Sequence, residues 1–246
     1  PLHEPARNWR GSLMAQAGRD PLFFAQLSTA NQDVANVGYY CLRCHVPMSI
    51  VTGHANDSTG LTLDALDKDG ISCHFCHSLV DPVYSPGHPH EDLAILQGLV
   101  DPPTFVGNAM FVLDPVGRRR GPLLQPATPH EALYSEYHKK AELCGSCHDV
   151  GNVATTRQAN GSYAYNAVGQ RSPSSDPWTQ FPLERTYTEW RLSAFNSPAG
   201  VDLQGRFGGE NASHVSTCQD CHMPSQTARV CYFGPERSGM KLHQFA

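Results

Sequence analysis

The sequence predicts a mainly helical fold: short helices and extensive irregular loops with very little sheet, in one domain over residues 1–246. Three observations lead there. Four cysteine- and histidine-rich segments are spread along the chain. Helix-start signals recur between them. The 21 Gly and 19 Pro favour several short helices and much irregular chain.

Taken in chain order, "GRDPLFFAQLSTANQDVANVGYY" predicts a helix, with Asp20 as its cap, Pro21 at its first position and Gly38 as its stop. Residues 81–127 are rich in Pro and Gly and predict a long ordered loop. "TPHEALYSEYHKKAEL" starts with the capping box Thr128-Pro129-His130-Glu131 and predicts a second helix. Residues 151–180 read as another loop. Thr186-Tyr187-Thr188-Glu189 is a further capping box, opening "YTEWRLSAF". The tetrapeptide W-R-x-S occurs twice, at Trp9 and at Trp190. Each copy precedes a C-x-x-C-H by about 30 residues, Trp9 before Cys41 and Trp190 before Cys218, which reads either as a coincidental tetrapeptide or as a helix that packs on a haem in both halves.

Of nine cysteines, eight form C-x-x-C pairs: Cys41 with Cys44, Cys73 with Cys76, Cys144 with Cys147, and Cys218 with Cys221. Each pair is followed at once by histidine, namely His45, His77, His148 and His222. C-x-x-C-H is the attachment signature of c-type haem. Two thiols bond the two vinyl groups, and the next residue falls under the iron as its proximal ligand. Zinc could use C-x-x-C pairs, but it does not require histidine after the second cysteine, and here that happens four times out of four. A thioredoxin-like dithiol needs a single pair at a helix start within a βαβ pattern, which is not seen. Four haem c groups on 246 residues would themselves form much of the apolar core, with the chain wrapped around them.

Composition removes other classes. The net charge is −5, and the only dense basic run is Arg118, Arg119 and Arg120, too little for a nucleic-acid protein. Those arginines read either as partners of haem propionates or as a solvated charged loop. No apolar run approaches the roughly 18 residues of a membrane span. The chain opens on "PLHEPARNWR" without a signal peptide, as the processed form of an exported protein would. The ninth cysteine, Cys231, has no obvious partner and reads as a buried free thiol.

Together "WRGSLMAQAGRDP", "CLRCHVP", "DGISCHFCH", "ELCGSCHDV", "ERTYTEWRLSAF" and "TCQDCHMP" resemble bacterial and archaeal multihaem cytochromes c of the cytochrome c554-like group. The resemblance runs from Trp9 to about His243. It implies short helices and loops around closely packed haems. It also implies export, because c-type haem is attached outside the cytoplasm. Most members carry electrons, some multihaem relatives are nitrogen-cycle enzymes, and some tetrahaem cytochromes polymerise into conducting filaments.

Each iron needs a sixth ligand or an open site. His243, in "KLHQF", matches a distal position of this group. His138, six residues before Cys144, lies in "YHKKAELCGSCH", which resembles a ligand-bearing segment. His130 would share its predicted helix and a similar face. Met14 stands where relatives often carry a histidine in W-x-x-S-x-H; it reads as a thioether ligand or as core packing. His54, His88 and His90 lie in loops and remain reserves. His74, between the thiols of the second motif, reads as a spacer that hydrogen-bonds a propionate or water, or as a ligand to a neighbouring haem.

The expected function is therefore electron transfer through four haem c groups, in the periplasm or outside the cell, with no catalytic residues. Redox proteins would be its partners, and self-association into a filament would be a further one. The alternative is an oxidoreductase acting on a small nitrogen compound at an open haem. The nitrite reductases of the wider superfamily carry C-x-x-C-K, whereas no lysine follows a C-x-x-C here.

Overall fold

A computed structural model describes residues 4–124, 126, 128–210, 213–229 and 233–245. Cys231 and His3 lie outside the described residues. The helices begin with α1 (Pro5–Trp9), α2 (Leu13–Gln16), α3 (Pro21–Asp33), α4 (Gly38–His45), α5 (Pro47–Val51) and α6 (Cys73–Ser78). They continue with α7 (His90–Gln97), α8 (Ala141–Gly145), α9 (Thr186–Leu192) and α10 (Cys218–His222). The strands are β1 (Leu79–Val80), β2 (Val112–Leu113), β3 (Arg119–Gly121), β4 (Ala132–Tyr134), β5 (Val150–Asn152) and β6 (Thr155–Arg157). The rest are β7 (Tyr163–Tyr165), β8 (Phe181–Glu184), β9 (Val201–Asp202), β10 (His214–Val215), β11 (Ser225–Arg229) and β12 (Glu236–Lys241). No described helix is long and apolar enough to cross a membrane.

The expectation of a mainly helical fold with very little sheet is corrected. Among the described residues 32% are helical and 17% are strand, and the strands pair into six two-stranded ribbons. The reason lies in the backbone. Gly- and Pro-rich segments cannot continue a helix, yet their peptide groups still need hydrogen-bond partners once packed. Neighbouring extended stretches supply them by pairing.

The chain divides into two compact units, Pro1–His77 with His222–Ala246, and Ser78–Cys221. In the first unit, Asp20 caps α3 by accepting the Leu22 N–H at 2.9 Å, with Pro21 at the first helical position. The helix ends at Asp33, because Val34 turns to extended backbone. Gly38 therefore starts α4 instead of stopping α3. A Cβ on Gly38 would lie 1.9 Å from the Ser58 carbonyl oxygen, so only glycine permits this approach. Leu27, Leu42, Val46, Ala55 and Leu63 form the buried core beside it. The ribbon of β11 and β12 belongs to the same unit.

In the second unit, residues 81–127 are more than a loop. They contain α7, β2, which pairs with β1, and β3. Arg120, on β3, is 1% exposed. It bonds Asp92 of α7 at 2.6 Å and Asp114 at 2.8 Å, while Arg118 pairs with Asp114 at 2.8 Å. Neither reading of the arginine run holds for Arg120: it is an internal ion-pair anchor. Burial pushes the Asp92 carboxyl above its ordinary value. Burial acts the same way on Asp114, but the Arg118 and Arg120 hydrogen bonds outweigh it and hold that carboxyl low.

The helix expected from Thr128 is also corrected. The Thr128 hydroxyl donates to the His130 carbonyl at 2.8 Å instead of capping. Residues Ala132–Tyr134 become β4, parallel to β3. A 3-10 turn, Glu136–Lys139, and α8 follow, so His130 and His138 share no helix. Non-local pairing with β3 overrides the local cap. Within 151–180, β6 and β7 form a hairpin, and β5 pairs with β8. Helix α9 forms as expected but without its capping box: the Thr186 N–H bonds the Glu184 carboxylate at 2.7 Å.

Removing the Arg120 guanidinium would leave the buried Asp92 without its cation and Asp114 with Arg118 alone. Arg120→Met is expected to cost about 3–5 kcal/mol of stability, measured by urea denaturation. A loss below about 1 kcal/mol would show that the cluster contributes nothing net.

Candidate functional site

All four C-x-x-C-H segments lie on helical turns, in two settings. Helices α4 and α8 begin three residues before the first cysteine, at Gly38 and Ala141. Helices α6 and α10 begin at the first cysteine itself, Cys73 and Cys218. In α6, the Ser72 hydroxyl accepts the Phe75 N–H at 3.2 Å. In α10, the Asp220 carboxylate accepts the N–H groups of Ser216 and Thr217 at 3.1 and 3.0 Å. Helix α8 closes at Gly145, but the Cys147 and His148 N–H groups still reach the Cys144 carbonyl, at 3.2 and 2.9 Å. Each helical turn therefore carries two thiols and an imidazole. All eight cysteines are half-buried, and none is in a disulfide.

The surroundings of each motif differ. The His45 ring stacks on Phe23, with centroids 3.7 Å apart and planes within 9°, which limits its rotation. Burial pushes the Cys41 thiol up. In the third motif, a Cβ on Gly145 would strike the Tyr187 ring at 2.6 Å, so glycine lets α9 pack closely. Burial, with the Glu142 charge beside it, pushes the Tyr187 phenol up to about 12. Asp149, next to His148, accepts Thr188 Oγ1 at 2.6 Å and Arg185 Nη1 at 3.2 Å. The fourth motif reaches the third: Gln219 Nε2 donates to the Lys140 carbonyl at 2.7 Å. The Cys144 side chain hydrogen-bonds Cys218 and holds its thiol low.

His243 lies two residues beyond β12. The β11–β12 ribbon starts just after the fourth motif, and Leu242 N–H bonds the Pro224 carbonyl at 2.9 Å. The ribbon thus carries the chain out and back, and delivers His243 to His77. Their ring centroids are 6.1 Å apart. Two imidazoles on opposite sides of one metal, with bonds of about 2.0 Å and centroids about 1 Å behind each nitrogen, stand about 6 Å apart. The centroid separation of the pair matches that spacing, with the ring planes tilted by 36°.

The other expected ligands fall as follows. His138 is half-buried, and its Nδ1 hydrogen-bonds Ser135 Oγ at 3.0 Å, which would assign ligation to Nε2. His130 is exposed, with Nδ1 3.0 Å from the Glu131 carbonyl oxygen. Met14 is half-buried, and its carbonyl accepts the Ile71 N–H at 3.2 Å, just before the second motif. His74 is half-buried. His88 is buried 3.6 Å from Asp81, and exposed His54 lies 3.3 Å from Asp67.

The two W-R-x-S tryptophans each reach the chain before a C-x-x-C-H segment. Trp9 bonds the chain before Cys73, through the Ile71 carbonyl, and not the chain before Cys41. Trp190 does bond the chain before Cys218, through the Ser216 carbonyl. Beside Cys73, a cleft of about 370 Å³ is bounded by Trp9, Arg10, Arg19 and Asp69.

No family model, curated protein or solved structure matches the chain.

Phe23, Gln219 and Asp149 were not singled out by the sequence. Phe23 precedes His45 by 22 positions and reads as an ordinary apolar helix residue. Gln219 and Asp149 touch the motifs directly in sequence, and that adjacency was the available signal. Gln219→Ala is expected to cost about 1–2 kcal/mol, measured by thermal or chemical denaturation. No change would mean that the link between the third and fourth motifs adds no stability.

Proposed function

We propose that the chain is a tetrahaem c-type cytochrome that carries electrons outside the cytoplasm and is not an enzyme. The observation that carries this reading is the fourfold C-x-x-C-H, each copy on a helical turn. The 6.1 Å separation of the His77 and His243 rings supports it independently, because nothing in the attachment motif requires a second imidazole there. Cys41, Cys44, Cys73, Cys76, Cys144, Cys147, Cys218 and Cys221 would form the thioether bonds. His45, His77, His148 and His222 would be proximal ligands, and His243 the distal ligand opposite His77. His138 is the next distal candidate, with Ser135 fixing its ring. Bound haem supplies reversible one-electron chemistry.

The chain's own residues have clear tasks in this reading. Phe23 limits the orientation of the His45 ring. Gln219 ties the fourth attachment helix to the backbone before the third, and so limits drift between their thiols. A histidine on both sides of an iron would leave no open position there, which favours electron transfer over substrate chemistry. Redox proteins would be the partners.

The test is the purified, matured protein. Four covalently attached haems are expected by mass spectrometry, with a sharp c-type α-band after dithionite. Zinc in their place, or no covalent haem, would overturn the reading. His243→Ala is expected to convert about one iron in four from low-spin to high-spin ferric in electron paramagnetic resonance. An unchanged spectrum would remove His243 as a ligand.

A further inference from the structure

The two W-R-x-S segments make the same pair of contacts in different sequence surroundings. Trp9 Nε1 donates to the Ile71 carbonyl at 2.9 Å, and Trp190 Nε1 donates to the Ser216 carbonyl at 2.6 Å. Both acceptors stand two residues before a first cysteine, Cys73 and Cys218. In both copies the serine hydroxyl, Ser12 or Ser193, donates back to its own tryptophan carbonyl at 2.7 Å. The sequence distance from tryptophan to acceptor is 62 in one copy and 26 in the other. The contact recurs although the spacing does not.

The helices held in this way are α6 and α10, the two that begin at the first cysteine. The other two attachment helices have a leading stretch before that cysteine, which sets the direction of the helix. A helix of five or six residues that begins at the cysteine has no such stretch. Its rotation about its axis depends on the peptide that feeds it. That rotation decides where the histidine at its far end points, because successive residues turn by a fixed angle. An indole N–H is a single, directional donor on a bulky ring, suited to fixing one carbonyl. Trp9 also borders the cleft beside Cys73.

We propose that Trp9 and Trp190 are positioning residues for the second and fourth attachment sites. Each clamps the peptide leading into its helix and so sets the direction in which that helix presents its two thiols together with His77 or His222. The proposal rests on the tetrahaem reading.

The experiment compares Trp9→Phe, Trp190→Phe and Trp178→Phe in the matured protein. Trp178 is the control, since it packs under Arg157 at 5.0 Å and, among the described residues, makes no side-chain hydrogen bond to a C-x-x-C-H segment. Phenylalanine keeps an aromatic ring and removes the N–H. Peptide mass spectrometry measures haem attached at each motif, and electron paramagnetic resonance measures the low-spin signals of the irons. In Trp9→Phe, attachment at Cys73 and Cys76 is expected to fall about twofold or more, the scale of one lost hydrogen bond. Where attachment is complete, the signal of that one iron is expected to shift while the other three stay. Trp190→Phe should do the same at Cys218 and Cys221, and Trp178→Phe should do neither. Equal loss at all four motifs, an effect at the wrong motif, or wild-type attachment with wild-type signals would each overturn the proposal. A wild-type protein without haem would overturn the tetrahaem reading as well. Four haems in the wild type with indifferent tryptophan variants would overturn the positioning role alone.

Discussion

Two thiols three residues apart and an imidazole immediately after them lie within little more than one helical turn. Three points of attachment on so short a piece of backbone leave almost no freedom to whatever is bound there. The aim of each group becomes the aim of a helix of five to eight residues. Such helices are too short to hold themselves, since nucleating a helix costs more than a few turns return. The remaining chain has to fix them from outside. The Asn31 side chain does so at α4, accepting the Gly38 N–H at 3.0 Å and donating to the Ser58 carbonyl at 2.8 Å. The close approach of Tyr187 to Gly145 does so at α8.

The same requirement accounts for the ribbons. Long helices would place attachment turns along one rigid rod. Short extended stretches instead return the chain to a chosen point within a few residues. The β11–β12 ribbon is the clearest case: it leaves the fourth motif and brings His243 back beside His77. The parallel pair of β3 and β4 does comparable work in the other unit, where Arg120 anchors β3 to α7 through Asp92. Buried charge of that kind contributes specificity of position more surely than it contributes net stability.

Much of the candidate site was legible because the attachment chemistry is local. Four C-x-x-C-H motifs need no tertiary contact to be recognised. The Asp20 cap and the helix after it were legible for the same reason. The helix expected from Thr128 was not, since a strand 13 positions earlier captured Ala132–Tyr134 and no local rule contains that competitor. The arginine run misled in a related way. Its composition suggested solvent or propionates, while the partners of Arg120 are Asp92 on α7 and Asp114 in the loop after β2.

His74 marks the boundary between the two kinds of information. Its place between two thiols is a fact of sequence; its half-buried setting is a fact of packing. The sequence by itself determined which thiols stand three residues apart and which histidine follows each pair, because those depend on spacing along one turn. Only the tertiary structure decided that His243 lies beside His77, and that Trp9 bonds the chain before the second motif and not before the first. Those pairings join residues far apart in the chain, and their cost in chain entropy is offset only when the surrounding elements are already packed.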